Sequence, residues 1–143
     1  AAGLVGLAIG AAHAHLGRSG WTIGVFSLAL LALVVTLVGL WDDLRPDPGS
    51  DAAMSVHTKI TFALFPLYIA GPLFMVQGAR RISPVYPVLF IASAAIFAVF
   101  AIAFKLSPTG YDGILEKIAL GATMLWTTSL SILMLRRGRR AMR

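Results

Sequence analysis

The sequence predicts an all-α protein, a polytopic bundle of transmembrane helices, on three observations. Of the 143 residues, 58% are hydrophobic and 13% are charged, whereas about a quarter of the residues of a soluble domain carry charge. The mean hydropathy is +0.84. Five apolar runs follow one another along the chain. Because backbone amides in lipid must be hydrogen-bonded within their own segment, these runs predict helices that form a single bundle.

The predicted spans follow from length, since about 20 apolar residues cross a hydrocarbon core of about 30 Å. In chain order they are 1–16, 21–41, 60–77, 85–104 and 114–135, followed by a basic tail at 136–143. The first span is short and does not begin with methionine, so we expect a preceding sixth helix or a cleaved signal peptide, and we favour the helix. Trp21 and Trp41 bound the second span, as suits its two membrane interfaces.

Other features of the spans predict packing. Gly6 and Gly10 of the first span have the spacing that lets a neighbouring helix approach. Pro66 and Pro72 remove amide donors from the third span, and with no charge beside them they predict a kink and not a substrate site. The fourth span carries no charge. The hydroxyl side chains of the fifth span can bond the carbonyls four residues earlier or bond across helices.

The connecting segments alternate between two sides of the membrane. One side holds eight of the twelve basic residues, all of them arginine, and the other side holds four basic residues and all six acidic ones. Cytoplasmic segments are enriched in lysine and arginine. We therefore expect the arginine-rich side, including the C-terminus, to lie in the cytoplasm of a prokaryotic plasma membrane.

This charge asymmetry accounts for the net charge of +6 without a nucleic-acid partner. The expected partners are membrane lipids, and also other membrane protein subunits or a second copy of the chain. Arginines near the bilayer surface attract anionic headgroups, and the expected headgroup contacts are Arg80, Arg81, Arg136, Arg137, Arg139 and Arg140. The chain has no cysteine, which excludes disulfides, thiolate metal sites and iron–sulfur clusters.

Several motifs together resemble a known membrane family. They are a glycine-rich first span, Gly39 before an acidic loop, His57 opening the next helix, and Gly113-Ile114-Leu115-Glu116-Lys117-Ile118 leading to Trp126. The pattern resembles the six-span prokaryotic family called domain of unknown function nine-nine-eight, although Ile114 stands where leucine is usual. The resemblance implies six helices, hence one before the first span, and it implies no activity.

A second, local resemblance concerns paired aspartates. Gly39-Leu40-Trp41-Asp42-Asp43-Leu44 resembles the Asp-Asp motif of polyprenyl-phosphate sugar-phosphate transferases, which implies a magnesium-dependent site open to the cytoplasm. The expected orientation places both aspartates outside, and the later Asn- and Asp-rich motif of that family is missing from the sequence. We therefore interpret the resemblance as coincidental and the aspartates as marking the exit of a helix into water.

The candidate catalytic residues lie at the external helix ends: Glu116, Asp42, Asp43 and His57. If the second, third and fifth helices are neighbours, these carboxylates and the imidazole can meet, where they could bind a divalent cation or share a proton. Glu116 is the first choice, because the first turn of a helix favours a carboxylate, and we expect it to dip into the bundle. The preferred alternative is that all four are solvated or ion-paired with nearby lysines, and no metal site is assigned.

Histidines are the weak candidates for cofactor binding, namely His13 and His57, and the cofactor itself is unknown. His13 and His15 lie two residues apart, so on a helix they point about 200° apart and cannot converge on one metal. A haem would need its second ligand from a partner subunit. We prefer the interpretation that these are interfacial or loop-capping side chains.

The leading functional hypothesis is a non-enzymatic accessory or structural subunit of a membrane complex. The spans carry packing features and no ionisable residue near their centres, where pumps and ion-coupled transporters need one. The alternative is a small membrane enzyme or lipid-handling protein that uses the external acidic and histidine side chains. A weaker alternative is a subunit associated with haem or pigment.

Overall fold

A computed structural model describes residues 1–14, 16, 19–43, 51–107 and 111–141, with the side chains of 41–43, 51–61, 112 and 140–141 excepted. Within these ranges the chain forms five α-helices and no strand. Their bounds are α1 Ala2–Ala14, α2 Ser19–Asp43, α3 Asp51–Arg80, α4 Val85–Leu106 and α5 Asp112–Ala141. The predicted all-α fold is confirmed.

Four of these helices are long and apolar enough to cross a membrane: Ser19–Leu40, Phe62–Arg80, Val85–Leu106 and Gly113–Arg139. The chain is therefore a multi-pass membrane protein. The first predicted span corresponds to α1, a shorter apolar helix of 13 residues, which is about 20 Å long at 1.5 Å per residue.

Two helices extend beyond the apolar runs that predicted them. α3 begins at Asp51, inside the segment expected to be an external loop, and α5 continues through the arginines of the expected tail to Ala141. The length of an apolar run indicates only the part of a helix that crosses the membrane. Alanine, methionine and arginine also form helix readily in water, so a helix can extend beyond its apolar run. α3 also stays helical through Pro66 and Pro72.

The helices form a closed ring. Each helix contacts the next one in the chain, and α1 also contacts α5. α3 makes a smaller contact with α5, whereas α2 and α5 do not meet through their described backbones. Consecutive helices run in opposite directions, so the ends of α1, α3 and α5 lie with the starts of α2 and α4.

Glycine allows the closest helix contacts in this ring. Trp126 of α5 is fully buried, and a Cβ atom at Gly71 of α3 would lie 2.5 Å from its Cη2 atom and 3.2 Å from Cβ of Ser27 in α2. The indole therefore fills the space between three helices. Gly6 and Gly10, predicted to receive a neighbouring helix, have no atom of the described chain within 4 Å of a Cβ position.

The hydroxyl side chains of the spans bond backbone carbonyls. In α5 the Thr127 hydroxyl donates to the Thr123 carbonyl at 3.1 Å, and the Ser131 hydroxyl donates to the Thr127 carbonyl at 2.8 Å, which confirms the predicted pattern. The Ser93 hydroxyl of α4 donates to the Ala122 carbonyl of α5, so one of these bonds joins two helices.

Candidate functional site

Arginine side chains from two helix ends meet at one end of the bundle. α3 ends at Arg80, and the turn that follows is closed by backbone hydrogen bonds from Arg81 N–H to the Gly78 carbonyl at 3.3 Å and from Ile82 N–H to the Ala79 carbonyl at 3.0 Å. The continuation of α5 beyond its apolar run carries arginines to the same level. The turn and the helix extension together build the site.

These arginines line two adjoining cavities. The larger has a volume of about 470 Å³ and is lined by Leu16, Arg81, Ile82, Ser83, Tyr86, Arg136 and Arg137. The smaller has a volume of about 290 Å³ and is lined by Leu16, Gly20, Trp21, Gln77, Gly78, Arg80 and Arg81. No acidic residue is among the described residues that line either cavity. We call the larger one the arginine cavity.

Tyr86, in the first turn of α4, is the most buried polar residue of the arginine cavity. It is 5% exposed, and its hydroxyl has no hydrogen-bond partner in the described part of the protein. A buried hydroxyl without a partner costs about 1–3 kcal/mol. An unpartnered donor at a cavity lined by cations is therefore a group that a ligand could satisfy.

The wall of this site is held by contacts between α1, α2 and α3. The Trp21 indole N–H donates to the Ala11 carbonyl at 2.8 Å, joining α2 to α1. A Cβ atom at Gly78 of α3 would lie 2.6 Å from Cε3 of Trp21. Because glycine stands there, α3 packs directly against this indole, which fixes the position of the arginines that follow.

An apolar groove continues from the arginine cavity between α4 and α5. Its volume is about 200 Å³, and it is lined by Ser83, Val85, Tyr86, Leu89, Ser129, Ile132 and Arg136. It shares Ser83, Tyr86 and Arg136 with the arginine cavity. The site therefore has a basic part at the end of the bundle and an apolar part along the spans. We call this second part the α4–α5 groove.

The predicted headgroup arginines fall into three groups in the structure. Arg80, Arg81, Arg136 and Arg137 line the two cavities. Arg139 is exposed and lines neither of them. The side chain of Arg140 lies outside the described residues. Charge asymmetry along the sequence identifies all of these arginines, but Tyr86 was not predicted, because an aromatic in a first turn also suits an ordinary membrane interface.

The predicted external acidic site is only partly described. Glu116 is exposed, and it lines an apolar cavity of about 120 Å³ together with side chains of α3 and α4 that include Phe65, Tyr68, Phe97 and Phe104. The side chains of Asp42, Asp43 and His57 lie outside the described residues. The backbone of α3 lies close to those of both α2 and α5, whereas the described backbones of α2 and α5 do not approach each other. The clustering of these four groups stays a prediction.

The histidine candidates are separated along the bundle. His13 is exposed, and its Nδ1–H donates to the Ile9 carbonyl of the same helix at 3.0 Å. His15 lies outside the described residues. Among the residues whose positions are described, no group of three or more histidine, aspartate or glutamate side chains could hold a metal ion.

Comparisons with protein-family models, with curated proteins and with solved structures found no match to this chain. Membership of the six-span family of unknown function therefore stays a prediction.

Proposed function

We propose that this multi-pass membrane protein is a non-enzymatic structural or accessory subunit of a membrane complex, with its arginine end in the cytoplasm of a prokaryotic plasma membrane. The observation that supports the proposal is an uncovered glycine face on α1. Gly3, Gly6 and Gly10 are exposed and have no described atom within 4 Å of a Cβ position. The glycines covered by a neighbouring helix are Gly20, Gly24, Gly71 and Gly78.

The spacing of these three residues places them on one side of α1. Positions three, four and seven residues apart lie on the same helix face. Glycine in a helix costs about 1 kcal/mol relative to alanine, and in lipid this cost is offset where a second helix packs closely against it. At Gly20, Gly24, Gly71 and Gly78 this cost is offset by a neighbouring helix of the same bundle. A helix from another subunit would offset it on α1.

The polar side chains of the spans also support a structural role. The Ser27 hydroxyl donates to the Ile23 carbonyl at 3.0 Å, and the Thr36 hydroxyl donates to the Ala32 carbonyl at 2.7 Å. These groups are satisfied within their own helix, and the Ser93 hydroxyl joins two helices. Such hydrogen bonds stabilise the bundle, and these hydroxyls are already bonded to backbone carbonyls.

The test is purification of intact particles from native membranes in a gentle detergent, followed by mass spectrometry and an absorbance spectrum. We expect a second protein in a fixed ratio to this chain. Substitution Gly6→Leu with Gly10→Leu should release that protein, because leucine side chains hold the two helices apart. The control Ala12→Leu introduces one leucine at an exposed position of α1 away from the glycine face and should retain the partner.

Three outcomes would contradict the proposal. A particle that contains one copy of this chain alone would show that lipid covers the glycine face. A particle that contains only copies of this chain would make the face a homo-oligomeric contact. Retention of the partner by the double leucine variant would place the interface elsewhere. Visible absorbance in a particle with a partner is a fourth outcome, which would keep the accessory role and identify the complex as a pigment or haem complex.

A further inference from the structure

The described residues that line the arginine cavity include no acidic side chain. Arg136 and Arg137 of α5 line it together with Arg81 of the α3–α4 turn. The helix ends that carry Asp42, Asp43, Asp51, Asp112 and Glu116 lie at the opposite end of the bundle. Each helix terminus contributes about half a charge, and with three C-termini and two N-termini at the arginine end these contributions largely cancel. The described lining is therefore electropositive and suits an anion.

The donors around the cavity suit a phosphate in particular. Guanidinium groups bind phosphate oxygens through two parallel hydrogen bonds, and those of Arg136 and Arg137 both line the cavity. The Tyr86 hydroxyl adds a buried donor without a partner in the described chain. α4 begins here with Pro84 as its N-cap and no side-chain cap, and a helix N-terminus attracts phosphate. Arginines, a tyrosine with a buried hydroxyl and a helix N-terminus therefore lie together at one cavity.

The apolar groove selects among molecules that carry a phosphate. The α4–α5 groove meets the cavity at Ser83, Tyr86 and Arg136 and follows two membrane-spanning helices. We infer that the arginine cavity binds the phosphate of an anionic phospholipid and that one acyl chain of this lipid lies in the α4–α5 groove. This inference is independent of the proposed accessory role, because it uses no residue of α1.

A free phosphate offers the same chemistry to the arginine cavity, but it leaves the groove unused. Val85 and Ile132 line the groove and are 57% and 42% exposed, so an acyl chain can enter sideways from the bilayer. An acyl chain seated in the groove makes van der Waals contacts that inorganic phosphate does not make, which adds affinity for the lipid alone. Competition between a phospholipid and inorganic phosphate therefore distinguishes the two possible ligands.

The experiment uses the purified full chain, delipidated in detergent, and native mass spectrometry. Phosphatidylglycerol, phosphatidylcholine and inorganic phosphate are the probes. We expect one phosphatidylglycerol to stay bound per chain at a concentration at which phosphatidylcholine does not. Inorganic phosphate in large molar excess should fail to displace it.

Three variants test the two parts of the site. Arg136→Gln removes the arginine shared by cavity and groove, and the affinity for phosphatidylglycerol should fall tenfold or more, as expected for the loss of a hydrogen bond to a charged group. Ile132→Trp fills the groove at an exposed position and should weaken lipid binding severalfold. Arg139→Gln is the matched control, since Arg139 lines neither part, and its affinity should stay within about twofold.

Tyr86→Phe separates binding from folding. Its hydroxyl has no partner in the described chain, so the lipid-free variant should melt at the same temperature as the parent or above it. Its affinity for phosphatidylglycerol should nevertheless fall severalfold. A lower melting temperature with unchanged lipid affinity would assign the hydroxyl to folding and overturn its role in the site.

Three further results would overturn the inference. Equal binding of phosphatidylglycerol and phosphatidylcholine would show that charge does not select the lipid. Displacement by inorganic phosphate would make the site one for a free anion. An equal effect of Arg136→Gln and Arg139→Gln would show a diffuse basic surface instead of a built site.

Discussion

Gly71 is a residue at which three helices meet. A Cβ atom at this position would lie 2.5 Å from the Trp126 ring of α5 and 3.2 Å from Cβ of Ser27 in α2. Packing of this kind is the main attraction between helices in lipid, because lipid chains are as apolar as the side chains. A single methyl group at Gly71 must therefore displace a fully buried indole.

We expect Gly71→Ala to lower the stability of the bundle by about 1–3 kcal/mol, the usual cost of overpacking a core. The measurement is the melting temperature of the purified protein in detergent. Gly121→Ala is the control, because no described atom lies within 4 Å of that Cβ position and alanine favours the helix. Equal melting temperatures for the two variants would contradict the packing described around Trp126.

At the scale of the element, α1 is held to the bundle by a hydrogen bond at its C-terminal end. α1 ends at Ala14, so the Ala11 carbonyl lies in its last turn. The Trp21 indole N–H donates to this carbonyl at 2.8 Å, and both residues are buried. One side chain of α2 thus positions the end of α1.

Trp21→Phe should loosen α1 while the other helices stay packed. The change removes the hydrogen bond that joins α2 to α1, which costs about 0.5–1.5 kcal/mol. Hydrogen exchange in detergent should become faster in 2–14 and stay unchanged in 85–106. Thr22→Val, at the exposed next position of α2, should leave both segments unchanged. Unchanged exchange of α1 in the phenylalanine variant would contradict this account.

At the scale of the whole molecule, the described arginines lie at one end of the bundle, whereas Glu116 lies at the other end together with Lys105 and Lys117. The chain has no cysteine, so single introduced cysteines can report the side on which each end lies. With the proposed orientation, a maleimide that does not cross membranes should label Ser107→Cys on intact cells. Arg139→Cys should be labelled only after the cells are opened. The reverse pattern would invert the proposed topology.

The fold class was predictable because lipid imposes strong constraints on sequence. A backbone in hydrocarbon must be helical, so apolar length alone identified the four long spans. The start of α3 at Asp51 and the end of α5 at Ala141 were not predictable in this way. They depend on helix formation in residues outside the apolar runs, where hydropathy carries no signal.

The candidate site was predictable in its charge but not in its shape. The excess of arginine on one side indicated contact with anionic headgroups. That Arg81 and Arg136 line the same cavity depends on how the α3–α4 turn faces the end of α5. The Tyr86 hydroxyl, which has no partner in the described part of the chain, is likewise a consequence of packing, since the same residue at a lipid interface would be hydrated.

The opposite charge of the two ends couples the orientation of this protein to voltage. A charge moved across the membrane changes energy by about 2.3 kcal/mol per 100 mV. With the cytoplasm electrically negative, the field attracts the arginine end inward and drives the acidic end outward, so an inverted molecule is opposed at both ends. An uncoupler present during synthesis should therefore increase the inverted fraction, and the fully inserted protein should be insensitive to it.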